Sequence, residues 1–172
     1  MTTTLPSRRA AFGLGSNLGN RQRYLENAVE SLAGHDEVEI VAVSSMYETE
    51  PVGGPEQGPF LNAVVVADVT ATPEELLEFA QQCEREANRE RHEQWGPRTL
   101  DVDVLAVEGV VTTTESLTLP HPLAAQRAFV LIPWTEVDPE FVLSPGLSVL
   151  DAARAIDAAD VRRSKLAWSV RH

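Results

Sequence analysis

The chain has one cysteine and one lysine in 172 residues, and it has no long apolar run. The lone Cys83 excludes an internal disulfide and a cysteine-based zinc cluster. Its place in a helical pattern reads as a small buried hydrophobe rather than a reactive thiol. No stretch approaches the roughly 20 apolar residues that span a bilayer, and the start MTTTLPSRRAAFGLGS lacks the continuous apolar segment of a signal peptide. Together these predict a cytoplasmic protein without a membrane partner. Positive charge is scarce as well. The net charge of −12 is the opposite of the basic face that a nucleic-acid binder presents, so no nucleic-acid partner is expected. A phosphorylated small molecule stays open, because screening confines the global charge to about 8–10 Å and a local arginine cluster can act within that range. There is no G-x-x-x-x-G-K-[ST] loop, and the turn Gly15-Ser16-Asn17 is too short to imitate one. Any kinase chemistry must hold its phosphates another way.

What is present is ordinary globular composition, 43% hydrophobic and 23% charged, in a length that suits one domain over residues 1–172 with a sizeable core. Residues 10–15 read as a first strand. A helix follows over 20–33, with Tyr24, Leu25, Ala28, Val29 and Leu32 at helical spacing and Gly34 closing it. Residues 38–47 read as a second strand, and PVGGPEQGP (51–59) is too rich in Gly and Pro for regular structure. Residues 60–69 form a third strand. Thr72-Pro73-Glu74-Glu75 then supplies a cap, a first-position proline and acidic residues in the first turn of a helix running to about residue 90. A strand over 99–105 follows, with 110–114 as a candidate partner beside it. Pro120-His121-Pro122 is a rigid turn. Helices are expected over 129–137 and 148–158, and the tail after Arg162 is weakly patterned. The order β-α-β-β-α-β is that of the split βαβ motif. It predicts an α+β, ferredoxin-like antiparallel sheet with helices packed on one face and the other face free for a site.

The stretch WGPRTLDVDVL poses a chemical question, since two aspartates interrupt a buried-type strand. Successive strand side chains alternate faces, so Asp101 and Asp103 point the same way, roughly 7 Å apart, while Leu100, Val102 and Val104 face the core. Two carboxylates facing one point suit Mg2+, which keeps some waters and fills its remaining positions with substrate phosphates. An isolated D-x-D is more often an exposed pair on an edge strand. Here arginines sit nearby: Arg98 three residues earlier, and Arg89 and Arg91 at the end of the preceding helix. Guanidinium forks match phosphate oxygens, although alone such arginines also suit an exposed helix end. Thirteen of the fourteen cationic side chains are arginine, a bias that composition explains. The grouping of Arg85, Arg89, Arg91 and Arg98 is not explained that way. Carboxylates for metal with arginines for phosphate are the equipment of phosphoryl transfer. Two other readings are a non-catalytic ferredoxin-like binding module and a nucleotide-sugar transferase using D-V-D. Against the first, the chain lacks the stacked aromatics and basic surface of an RNA-binding sheet. Against the second, it is short and gives WGPR no role.

GLGSNLGNR, SSMYETEPVGGPEQGPFLNAVV, WGPRTLDVDVL and LPHPLAAQRAFVLIPW, in this order, resemble the 6-hydroxymethyl-7,8-dihydropterin pyrophosphokinases of folate biosynthesis, over nearly the whole chain to about Asp138. The resemblance implies a ferredoxin-like monomer that transfers pyrophosphate from ATP to the pterin hydroxymethyl group and releases AMP. It implies that Asp101 and Asp103 bind two Mg2+ ions, that Arg89 and Arg98 stabilise the transferring group, and that Trp95 closes over the nucleotide. Gln81, Glu84, Arg91, His121 and Arg127 match positions that hold ATP. For His121 the competing reading is a turn histidine satisfied by backbone. Phe60 and Phe129 would sandwich the pterin, Asn62 would bond its edge, and Thr49 and Val52 would add contacts. Gln94 stands where the family usually has a basic residue, and Glu50 where proline is frequent.

Overall fold

Two long apolar strands, β1 (Arg8–Ser16) and β4 (Phe60–Val69), form the centre of the principal sheet. The computed structural model describes residues 5–50, 58–89 and 99–169. Flanking the central pair are β2 (Val38–Val43) and β3 (Tyr47–Thr49), both antiparallel to β4, and β5 (Asp101–Val107), antiparallel to β1. Helices α1 (Arg21–Ala33) and α2 (Pro73–Arg89) complete the expected β-α-β-β-α-β order. The end signals work as their chemistry predicts. Asn20 caps α1 by accepting from the Arg23 N–H. Thr72 and Glu75 exchange side-chain-to-backbone bonds at 3.1 and 3.0 Å, a capping box at the start of α2.

Odd-numbered residues of β4 (Leu61, Ala63, Val65, Ala67) meet Phe12, Leu14, Val102 and Val104 in a core covered by α1 and α2. The opposite face is not left bare, and here the expectation of helices on one face alone is corrected. A second core of Ala11, Val64, Val66, Leu105 and Ala106 lies under α3 (Ala128–Val137) and α4 (Val149–Arg154), with Trp134 and Leu131 at its centre. This double cover explains Val64-Val65-Val66, a run with no polar face, which a strand buried on both sides requires. Among the described residues, the other end of that face, around Gly13, Gly15 and Asn62, is left for a site.

Further differences are local. The single strand expected over 38–47 divides because Ser44 inserts its hydroxyl into the ladder: its Oγ accepts the Val64 N–H at 2.9 Å and donates to the Ser45 carbonyl at 2.7 Å. Residues 110–114 do not pair with β5. Instead β6 (Thr112–Thr113) forms a two-stranded ribbon with β7 (Thr118–Leu119). A 3-10 turn, Ala124–Gln126, follows the Pro-His-Pro segment. The helix expected over 148–158 stops at Arg154; Ser148 caps it through a box with Asp151, after a short hairpin of β8 (Val142–Ser144) and β9 (Leu147–Ser148). The weakly patterned tail contributes β10 (Val161–Arg163), which pairs with β3, and Trp168, whose Nε1–H donates to the Ser44 carbonyl at 2.8 Å. Among the described residues no helix is long and apolar enough to cross a membrane.

Candidate active site

Sheet register assembles the site. Asp101 lies opposite Gly15 and Asp103 opposite Gly13 across β5 and β1. Gly15 lies in turn opposite Asn62 across β1 and β4, Asn62 opposite Tyr47, and Phe60 opposite Thr49. Directly opposed residues share a face, so Thr49, Phe60, Asn62, Gly15, Gly13, Asp101 and Asp103 all lie on the side that α3 and α4 only partly cover. Asn62 and Asp101 are two strand spacings apart, roughly 10 Å. Between them the floor carries no side chains. A Cβ on Gly15 would come within 3.2 Å of Asn62 Oδ1, and one on Gly13 within 3.3 Å of Leu105 Cδ2. The two glycines of GLGS therefore keep open the space between the carboxylates and the amide. Glycine inside a strand marks such a close approach, and this signal could have promoted Gly13 and Gly15 to site residues from sequence alone.

Asp101 is half-buried and Asp103 exposed, as expected for carboxylates on the open end of an edge strand. Among the described residues no group of three or more His, Cys, Asp and Glu gathers to form a closed cage. A pair of carboxylates beside open space fits Mg2+, which leaves much of its octahedral shell to water and substrate oxygen. At the other side of the floor, Asn62 is 5% exposed and Thr49 is 8% exposed. The Asn62 amide donates to Thr49 Oγ1 at 3.0 Å, so its Oδ1 is aimed by a fixed partner. Phe60 and Phe129 are half-buried, and Phe129 packs against the second core. The Arg127 guanidinium carbon lies 5.6 Å from the centre of the Phe129 ring, within cation–π range. Arg127 is also the residue that opens α3.

His121 is tied to the backbone at two points, as a turn histidine would be. Its backbone N–H donates to the Leu105 carbonyl at 2.7 Å, which ties the turn to β5. Its Nδ1 accepts the Leu123 N–H at 3.2 Å, so the neutral ring carries its proton on Nε2, the atom a phosphate oxygen would use. Gln81 and Glu84 sit on α2, in the other helical layer beside the β5 edge; Gln81 is exposed, and Glu84 Oε2 accepts the Val102 N–H at 3.0 Å. Arg91, Trp95, Arg98, Gln94 and Val52 lie outside the described residues, as does the side chain of Arg89, the last residue of α2.

The loop that follows β3 is anchored at both stems. Arg21 donates to the Pro59 carbonyl at 2.8 Å and pairs with Glu48 at 3.4 Å. Glu48 also receives Arg162 and Ser164 from the tail, at 3.4 and 3.2 Å. Sequence reasoning missed this junction, because its partners are up to 116 residues apart. Glu136 of α3 similarly holds the Ser45 backbone and the Tyr47 hydroxyl, the latter at 2.6 Å. Burial first, and that carboxylate second, push the Tyr47 hydroxyl up to about 12.

Residues 11–139 match the family of 7,8-dihydro-6-hydroxymethylpterin-pyrophosphokinase. A Methylorubrum extorquens protein named 2-amino-4-hydroxy-6-hydroxymethyldihydropteridine pyrophosphokinase is 43% identical over 155 residues, 90% of this chain and 98% of its own length. A Mycobacterium tuberculosis protein of the same name is 48% identical over 141 residues, covering 76% of this chain and 73% of that one. The crystal structure of wild-type Plasmodium falciparum HPPK-DHPS superposes with a TM-score of 0.67 at 14% identity; the alignment covers 90% of this chain but only 45% of that longer one, and shows the shared fold. The chain therefore belongs to the hydroxymethyldihydropterin pyrophosphokinase family, enzymes of folate biosynthesis that transfer a pyrophosphoryl group from ATP to the pterin.

Proposed function

We propose that the uncovered end of the sheet is where this chain carries out that transfer, with Mg2+ held by Asp101 and Asp103 and the pterin held across the glycine floor. The observation that carries the reading is the register Asn62–Gly15–Asp101, which sets an amide and a carboxylate at the two ends of an open strip. Bound at the carboxylates, Mg2+, in two ions on this reading, would offset phosphate charge and make the acceptor hydroxyl more acidic. Asn62, aimed by Thr49, bonds the polar edge of the pterin, and the rings of Phe60 and Phe129 hold its faces. Val52 adds a contact from the preceding loop. His121 Nε2–H and Arg127 take phosphate oxygens, and Arg127 is kept near the pterin end by Phe129. Arg89, Arg91 and Arg98 cover the pyrophosphoryl group, with Trp95 over the nucleotide and Gln81 and Glu84 on its ribose side. Electrostatic stabilisation of this kind matters most in a site that excludes water.

The same reading makes the protein a single-domain cytoplasmic monomer. Family membership also favours it over the binding-module and sugar-transferase readings. The test is the nucleotide product. Purified protein, Mg-ATP and 6-hydroxymethyl-7,8-dihydropterin should give AMP and pterin diphosphate in equal amounts, and neither after chelation of the metal. Stoichiometric ADP would mean attack at the γ-phosphorus and would overturn the proposal.

A further inference from the structure

The carboxylates Asp101 and Asp103 stand on β5, which among the described residues is an edge strand paired with β1 alone. In an antiparallel ladder alternate residues turn their N–H groups away from the partner strand, and at an edge those groups need another acceptor. Val102, the residue between the two carboxylates, finds one in Glu84 Oε2 at 3.0 Å. One turn further along α2, Asn88 Oδ1 accepts the hydroxyl of Thr99 at 3.0 Å, and Thr99 is 1% exposed. Glu84 and Asn88 are four residues apart and share one face of the helix. They hold the chain at residues 99 and 102, on either side of the point where it enters the sheet.

We propose that Glu84 and Asn88 are positioning residues, a two-point clamp from α2 that sets the placement of the Asp101 and Asp103 carboxylates for metal. The inference rests on the reading of those aspartates as Mg2+ ligands, and it gives Glu84 a task distinct from contact with the ATP ribose. Mg2+ tolerates little deviation from octahedral geometry at 2.0–2.1 Å. An unclamped edge-strand end would therefore cost metal affinity even with both ligands present. The bond to Val102 itself needs an oxygen at residue 84 rather than a charge, because a backbone N–H is neutral.

Mn2+ binding to the full chain, followed by electron paramagnetic resonance with α,β-methylene ATP, separates these roles without turnover. Glu84→Ala is expected to weaken Mn2+ roughly 10-fold or more, the size typical when a supporting partner of a metal ligand is lost. Glu84→Gln keeps an oxygen for Val102 and should restore affinity to within about threefold, and Asn88→Ala should weaken it in the same sense. The Glu84→Ala loss should be unchanged with the 2′-deoxy analogue. Wild-type affinity in Glu84→Ala, failure of Glu84→Gln to rescue, or a loss that vanishes with the deoxy nucleotide would each overturn the clamp. Amide hydrogen exchange at Val102 in the wild type and Glu84→Gln serves should Glu84→Ala not fold: slow exchange is expected in both, and rapid exchange in the wild type would sink the proposal. A wild-type chain that binds no Mn2+ with the nucleotide would remove the metal reading itself, and the clamp with it.

Discussion

Replacing Gly15 with alanine tests the glycine floor most directly. The new Cβ would lie 3.2 Å from Asn62 Oδ1, so the amide must yield by a few tenths of an ångström. Asn62 has little room to do so: it is 5% exposed, and its Nδ2 is tied to Thr49 Oγ1 at 3.0 Å. Rotating Oδ1 away strains that bond. A neutral hydrogen bond contributes about 1 kcal/mol, and leaving a buried partner unpaired costs about 1–3 kcal/mol. Against this, alanine is favoured over glycine within a strand by roughly 0.5–1 kcal/mol. The net loss of stability is then about 1 kcal/mol, a fall of roughly 2–4 °C in Tm for a chain of this size. Pterin binding has no such offset, because the aim of Asn62 is what the ligand reads. A misdirected bond of about 1.4 kcal/mol is tenfold in Kd. Fluorescence titration with the pterin, beside calorimetric unfolding, should show about a tenfold weaker Kd with a small Tm change. Gly13→Ala meets only the tip of Leu105, at 3.3 Å, and should affect pterin binding less. Unchanged pterin affinity in Gly15→Ala would refute the argument that the floor must be bare.

Asp103→Asn should abolish pyrophosphoryl transfer while shifting stability by no more than about 0.5 kcal/mol, because Asp103 is an exposed residue on the site face; retained turnover in Mg2+ would remove it as a ligand. Cys83 is 2% exposed and burial pushes its thiol up to about 11, so a disulfide reagent at pH 8 should label it only as fast as the chain unfolds, and rapid labelling of the folded protein would contradict that burial. Cys83 and Tyr47 both have folded values raised above their ordinary ones of 9.0 and 10.0, to about 11 and about 12. Their neutral forms therefore favour the folded state, fully below pH 9 and progressively less up to pH 12. Denaturant unfolding from pH 8 to 12 should show this decline, and Tyr47→Phe should reduce its upper part; a variant with the same upper slope would show that the Tyr47 hydroxyl is not involved.

The elements legible in the sequence were those set by local chemistry. Asn20 and Gly34 bracket α1, Thr72 with Glu75 opens α2, and the alternation of Asp101 and Asp103 with Val102 and Val104 follows from the pleat. The second helical layer was also written there, in Val64-Val65-Val66, but reading that run requires asking what covers each face rather than whether a strand exists. The division of the second strand depends on one hydroxyl, Ser44 Oγ, substituting for a backbone acceptor. No period in the sequence marks that. The site residues followed the same division. Register alone aligns Asn62, Gly15 and Asp101, whereas the clamp from Glu84 to Val102 depends on where a helix comes to rest.

Glu50 shows how the tail bears on that limit. As a departure from the family pattern it looks like a flaw beside the expected pterin contacts. In the fold it meets Arg162 of β10 at 2.9 Å, 112 residues away. Both side chains are more than half exposed, at 60% and 53%, and exposed pairs contribute about 0–1 kcal/mol. The pair alone therefore cannot account for the placement of β10. Stronger reasons lie beneath it: β10 completes the sheet edge left open by β3, and Glu48, far less exposed, joins Arg162 and Ser164 to Arg21. Arg21 in turn holds Pro59 on the far stem of the loop. The tail is thus tied to both stems through Glu48, and Glu50 adds an outer contact to a junction that the less exposed groups already determine. A charged residue is tolerable at position 50 because the opposite charge is already placed there by the strand pairing, not because the ion pair creates the pairing.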